Sequence, residues 1–137
     1  MAAKGFSTST VHRIVARDRG ACVRCGLLVA HLPRGVAWSV HHRRARGAGG
    51  TSVVWVNAAS NGVVLCGSGT TGCHGWVESH QREAMTAGWV VSMNGRLRAD
   101  EVVVRHRVLG VGYLTDDGGW VPVVEGPTPE SWEGEAA

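Results

Sequence analysis

Apolar positions follow two different periods along the chain. In residues 7–19, Val11, Ile14 and Val15 recur at i, i+3 and i+4, which predicts an amphipathic helix. Ser7 or Ser9 is placed to cap its start and Gly20 to end it. Residues 36–42 alternate instead, with Val36, Trp38 and Val40 on one side, and predict a strand. Residues 51–56 are a second strand candidate, joined to the first by the basic, glycine-rich run RRARGAGG at 43–50. A second helix is expected to start near residues 72–74, to carry Trp76, Val77, Ala84 and Met85, and to close at Gly88. Short β runs follow at 89–93, 101–109, 110–114 and 120–124. Asn94-Gly95 and Asp116-Asp117-Gly118-Gly119 supply turns between them. The Pro/Gly/Glu-rich residues 126–137 predict a disordered acidic tail. The whole pattern is α+β.

With 44% hydrophobic and 18% charged residues in 137, the chain has material for one folded domain and not two. Its longest uncharged apolar runs are far below the length of a membrane span, and the N-terminal MAAKGFSTST lacks the apolar stretch of a signal peptide. Neither export nor membrane insertion is expected. Charge adds a direction. Residues 1–98 carry 12 Lys/Arg against 3 Asp/Glu, whereas residues 99–137 carry 2 against 8. A basic body followed by an acidic end suits a polyanion partner, nucleic acid first. Thirteen of the 14 basic residues are Arg, the side chain suited to bidentate phosphate contact. Ordinary surface solvation and a GC-rich coding sequence would give the same bias. No Walker-type phosphate loop or Gly-x-Ser-x-Gly elbow is present.

Four cysteines stand in two spaced pairs. Cys22 and Cys25 form a C-x2-C knuckle followed by Gly26, and two thiolates so spaced can grip one tetrahedral Zn²⁺. Cys66 and Cys73 are wider apart, but the intervening Gly-Ser-Gly-Thr-Thr-Gly is small enough to fold back. Without a secretory signal, a structural zinc site held by all four thiolates is expected in preference to disulfides or inert buried thiols.

Between and beside these pairs the chain reads C-x2-C, then His41-His42-Arg43-Arg44, then Asn61 five residues before Cys66, then His74 directly after Cys73. This ordered set resembles the HNH endonucleases of the ββα-metal (His-Me finger) group, in particular small bacteriophage HNH proteins with a four-cysteine zinc knuckle. The resemblance covers roughly residues 10–88. It implies a ββα-metal nuclease core in residues 1–88, with an N-terminal helix, the structural zinc knuckle and a β-rich C-terminal extension at 89–125. By position, it implies that His42 is the general base and that Asn61 holds the loop and so orients it. It likewise implies that His41, where relatives often have Asp, and His74 are ligands of a catalytic divalent ion. Mg²⁺ is the usual working ion of such enzymes, while imidazole ligands accommodate Mn²⁺, Ni²⁺ or Zn²⁺ better.

A third ligand follows from helix geometry. If His74 opens a helix, Glu78 at i+4 lies about 40° round the axis on the same face, whereas His80 at i+6 lies roughly 240° round. Glu78 is therefore preferred, with His80 the weaker alternative. Neighbouring strand residues point to opposite faces, so His41 and His42 are expected at a strand end or bend. Arg43, Arg44 and Arg46 are expected to clamp DNA phosphates without reading bases. Asn57 is read as a loop cap, His12, His31 and His106 as structural or surface residues, and Trp38, Trp55, Trp76 and Trp89 as core.

The function so implied is a divalent-metal-dependent endonuclease that hydrolyses DNA, by nicking or double-strand cutting, in the cytoplasm. The resemblance adds a bacterial host's cytoplasm and packaging partners such as a phage terminase. A non-catalytic zinc-ribbon DNA-binding or adaptor protein would use the same cysteines and leave the histidines idle. An RNA-directed nuclease is a third reading.

Overall fold

A computed structural model describes residues 5–46 and 53–123 of the chain. Helix α1 spans Thr8–Arg17. Ser7 caps it, its hydroxyl accepting from the Thr10 amide at 3.1 Å. Arg19 and Gly20, both with positive φ, end it. Val11 and Ile14 turn inward, as their spacing predicts, together with Arg17.

Strand β1 (Trp38–His42) pairs antiparallel with β2 (Gly62–Cys66), placing Trp38 opposite Cys66 and His42 opposite Gly62. The partner of β1 is thus not residues 51–56. Of that expected strand, residues 53–56 form a turn, and 51–52 lie outside the described residues together with residues 47–50 of the basic loop. Both faces of β2 are covered. Val63 and Leu65 pack with Cys22, Val23, Val77, Ala84, Val104 and Leu114, while Val64 packs with Ile14, Val29, Trp38 and Ala59. A strand buried on both faces loses the alternation that marks a half-buried one.

Helix α2 (Gly72–Ser79) follows β2 across a tight loop, then α3 (Gln81–Thr86). One helix was expected here. The chain instead breaks at His80, whose φ −129 and ψ 56 are not helical. Gly88 adopts φ +82, and a Cβ there would come within 1.9 Å of the Val103 carbonyl oxygen, so the turn after α3 demands glycine.

Residues 89–93 form no strand. Only Val104–His106 (β3) of the 101–109 run is extended, and it joins β4 (Gly110–Leu114) and β5 (Trp120–Pro122) in a second antiparallel sheet. The expected tail at 126–137 lies outside the described residues.

The second sheet is fastened to the first half by a buried polar cluster. Asp18, fully buried, accepts from Arg17, from His106 Nε2 at 3.0 Å and from the Val64 amide. The amides of Val108 and Leu109 donate to His106 Nδ1, which leaves the ring proton on Nε2 for Asp18. The architecture is therefore α+β with two small sheets. No helix among the described residues is long and apolar enough to cross a membrane.

Candidate metal centres

Among the described residues, two clusters of metal-ligating side chains meet at the β1–β2–α2 unit. In the first, Cys22 and Cys25 come from the turn after α1, Cys66 from the end of β2 and Cys73 from the first turn of α2. Their sulfurs all lie within 4.8 Å of one another, and those of Cys25 and Cys66 are 3.9 Å apart. Zn–S bonds of about 2.3 Å in a tetrahedron place sulfurs at roughly that separation, so the donor set fits zinc. All four thiols are free. The wide pair closes because Gly67 takes φ +85, where a Cβ would lie 2.1 Å from the Thr71 carbonyl oxygen. The Cys73 amide donates to Cys66 Sγ at 3.3 Å, and Arg24 donates to Cys73 Sγ at 3.3 Å. Donating its proton to Cys73, with burial adding to the effect, pushes the Cys22 thiol up, while accepting that proton pulls Cys73 down. Four crowded sulfurs cannot all ionise without a cation among them; a coordinated ion removes that conflict.

The second cluster is His41, His74 and Glu78, whose donor atoms also lie within 4.8 Å of one another. His41 sits near the C-terminal end of β1, buried against the first turns of α2. Its Nε2 donates to the Trp89 carbonyl at 2.9 Å, which leaves Nδ1 with a lone pair. His74 Nδ1 contacts the Ser39 hydroxyl at 2.6 Å, and the two rings meet edge to face with centroids 5.1 Å apart. Glu78 follows one turn later on α2 and is exposed. Burial, then the neighbouring His74, holds His41 down at about 3; burial likewise lowers His74, against the pull of Glu78. Both imidazoles are neutral at pH 7, the ligating form. Two imidazoles and a carboxylate suit a divalent transition ion at least as well as Mg²⁺. His80 is not in the cluster. It stacks on Trp76 with ring centroids 4.4 Å apart and bonds the Trp76 carbonyl.

His42 points to the opposite face of β1. Its ring lies flat on Phe6, centroids 4.0 Å apart and 11° from parallel, and its Nε2 lies 2.8 Å from Asn57 Oδ1. An amide oxygen only accepts, so Nε2 carries the ring proton and Nδ1 is the free basic nitrogen. Burial lowers the pKa of His42, keeping it neutral. Asn61, fully buried, closes the loops on either side: Oδ1 accepts from the Arg44 amide, and Nδ2 donates to the carbonyls of Arg44 and Val56. The two asparagines divide one expected role. Asn61 holds the loop, and Asn57, read from sequence as a loop cap, touches the base candidate itself. A separation of 15 positions leaves no periodic signal that would pair His42 with Asn57.

The three arginines also separate. Arg43 is no phosphate clamp: it is 1% exposed, and its guanidinium donates to the carbonyls of Gly88, Ser60, Ala99 and Val102. Four of its five N–H donors are committed to backbone carbonyls and the side chain is closed off from solvent, so no phosphate can reach it. Burial pushes its pKa down to about 9, so it is still charged at neutral pH. Arg44 is half-buried; one terminal guanidinium nitrogen reaches the Met93 carbonyl and the other has no hydrogen-bond partner among the described residues. Arg46 is exposed, and its charge helps lower the pKa of His42.

No protein-family model matches this chain, and neither do curated proteins or solved structures.

Proposed function

We propose that the chain is a divalent-metal-dependent HNH endonuclease that hydrolyses DNA phosphodiester bonds on a ββα-metal core formed by β1, β2 and α2, braced by structural zinc in the four-cysteine cluster. The observation that carries this reading is the placement of three donor side chains from β1 and α2 within 4.8 Å of one another; the next residue of β1, at the end of the strand, carries a neutral imidazole fixed in one tautomer.

The chemistry follows from those groups. His42 Nδ1 takes the proton of a water as its oxygen attacks phosphorus, while the bond to the departing 3′ oxygen breaks. Asn57 and Phe6 hold the ring so that the lone pair keeps one direction, and Asn61 keeps the loops behind it from shifting. General-base assistance of this kind is worth about 10²–10⁴ in rate. His41, His74 and Glu78 would hold the divalent ion, which supplies Lewis-acid stabilisation of the charge growing on the phosphoryl and leaving oxygens. Arg46, exposed near His42, is the phosphate contact best placed to help; Arg44 offers the second.

The test is incubation of the purified chain with supercoiled plasmid across a panel of Mg²⁺, Mn²⁺, Ni²⁺ and Zn²⁺, with EDTA as control. Metal-dependent conversion to nicked or linear DNA that His42→Ala lowers at least a hundredfold, with zinc content and DNA binding retained, is the expected result. DNA binding with no cleavage in any metal would favour a zinc-braced adaptor protein instead.

A further inference from the structure

Ser39 stands on β1 two residues before His41, half-buried under the start of α2. Its hydroxyl makes two contacts: it donates to the Gly67 carbonyl at 3.2 Å and meets His74 Nδ1 at 2.6 Å. A serine hydroxyl has one proton. With that proton directed at Gly67, the oxygen can only accept from His74, so Nδ1 bears the imidazole proton and Nε2 keeps its lone pair. The acceptor that imposes this choice is itself fixed. Gly67 directly follows Cys66, its amide donates to the Ala37 carbonyl at 2.7 Å, and its positive φ leaves it no room for a side chain.

We propose that Ser39 is a positioning residue for the second metal centre: anchored on the cysteine knuckle through Gly67, it holds His74 as the Nδ1–H tautomer with Nε2 turned to an ion shared with His41 and Glu78. The proposal rests on the metal-centre reading given above. It also assigns a direction to the coupling between the clusters. The knuckle orients Gly67, Gly67 orients the Ser39 hydroxyl, and the hydroxyl decides which nitrogen of His74 can ligate. Without the hydroxyl the His74 Nδ1–H has lost its acceptor, and the ring is free to rotate and to carry its proton on Nε2, the nitrogen the ion needs.

The experiment uses the full chain with zinc in the cysteine cluster, comparing wild type, Ser39→Ala and Ser39→Thr. Long-range ¹H–¹⁵N correlation spectra without a second ion read the His74 tautomer. Titration with Mn²⁺, followed by the electron paramagnetic resonance signal of the free ion, reads affinity. Mn²⁺ is chosen because thiolates take it up poorly. Expected are an Nδ1–H tautomer in the wild type, its loss in Ser39→Ala together with a roughly 10–100-fold weaker Mn²⁺ affinity, and recovery of both in Ser39→Thr, with zinc content equal throughout. Unchanged tautomer and affinity in Ser39→Ala would overturn the role of Ser39. Loss of zinc in that variant would do the same, by showing that the hydroxyl serves the knuckle and not His74. A wild-type chain that keeps the tautomer but binds no Mn²⁺ would instead overturn the metal-centre reading.

Discussion

His42 and Asn57 are joined by a 2.8 Å contact between Nε2 and Oδ1, and that contact leaves Nδ1 as the ring nitrogen with the lone pair. Replacing Asn57 should therefore change how the base titrates, and not only how well it is held. Asn57→Asp puts a carboxylate where the amide oxygen stands, favouring the imidazolium and raising the His42 pKa. In the wild type, burial lowers that pKa, so under the proposed nuclease reading the acid limb of kcat/KM should lie below the ordinary histidine value of about 6.5. The acid limb should move to higher pH in Asn57→Asp. Asn57→Ala should lower kcat with little change in DNA affinity. A pH profile identical to wild type in Asn57→Asp would remove Asn57 from the site.

Glu78 is the exposed member of the second cluster, so its loss should spare the fold. Glu78→Gln keeps the shape and removes the charge. Isothermal titration should show divalent-ion affinity reduced at least tenfold, with an unfolding midpoint within about 2 °C of wild type, as expected for a surface change. Equal affinity would mean that the ion, if bound, is held by the histidines alone.

Cys25 is the exposed sulfur of the knuckle and the one whose replacement disturbs packing least. Cys25→Ser should lower zinc content and melting temperature together, because ion binding and folding free energy are the same quantity in such a site. Full zinc stoichiometry in Cys25→Ser would contradict a four-thiolate site.

Arg43 and Arg46 should behave oppositely. Arg43→Ala strands four backbone carbonyls, three of them buried, and is expected to destabilise the chain by about 3 kcal/mol or more, measurable by urea denaturation. Arg46→Ala should leave stability unchanged and reduce the salt dependence of DNA binding by about one counterion. A stable Arg43→Ala variant with weakened DNA binding would reverse this assignment.

Asp18 carries the acid sensitivity of the fold. Burial raises its pKa, but the Arg17 guanidinium and the His106 hydrogen bond outweigh burial, and the carboxyl titrates below its ordinary value. A depressed folded pKa contributes stability that is complete above the unfolded value of about 3.9 and is lost as pH falls through the folded one. Urea denaturation between pH 5 and 2 should show that loss. Asp18→Asn should flatten it and cost about 3 kcal/mol at neutral pH. An unaltered acid slope in that variant would place the sensitivity elsewhere.

The parts of the fold legible in the sequence are those that obey one local rule. Val11 and Ile14 mark α1 because one face of a helix meets the core and the other meets water. The cysteines mark their own meeting point because no other chemistry gathers four thiols without disulfides. β2 escaped because Val63, Val64 and Leu65 are all buried, which erases the period-two signal, while the apolar 53–56 run mimicked it in a turn. The break at His80 escaped because polar residues continue the helical pattern across it. Arg43 looked like Arg44 and Arg46, though it keeps the inward parity of His41 two residues earlier, and that alternation was the available clue. His42 and Asn57, 15 positions apart, meet only in the tertiary structure, which local pattern does not encode.

Cys73 and His74 are consecutive on the first turn of α2, yet one faces the sulfur cluster and the other the histidine–carboxylate cluster. A single peptide bond is thus the hinge pin of both. Inserting or deleting one residue there would swing the rest of the helix by about 100° and cannot be absorbed by either cluster alone. Transplanting either set of ligands into another scaffold would have to carry this helix start intact, which makes the pair, and not the separate sites, the smallest portable unit of the protein.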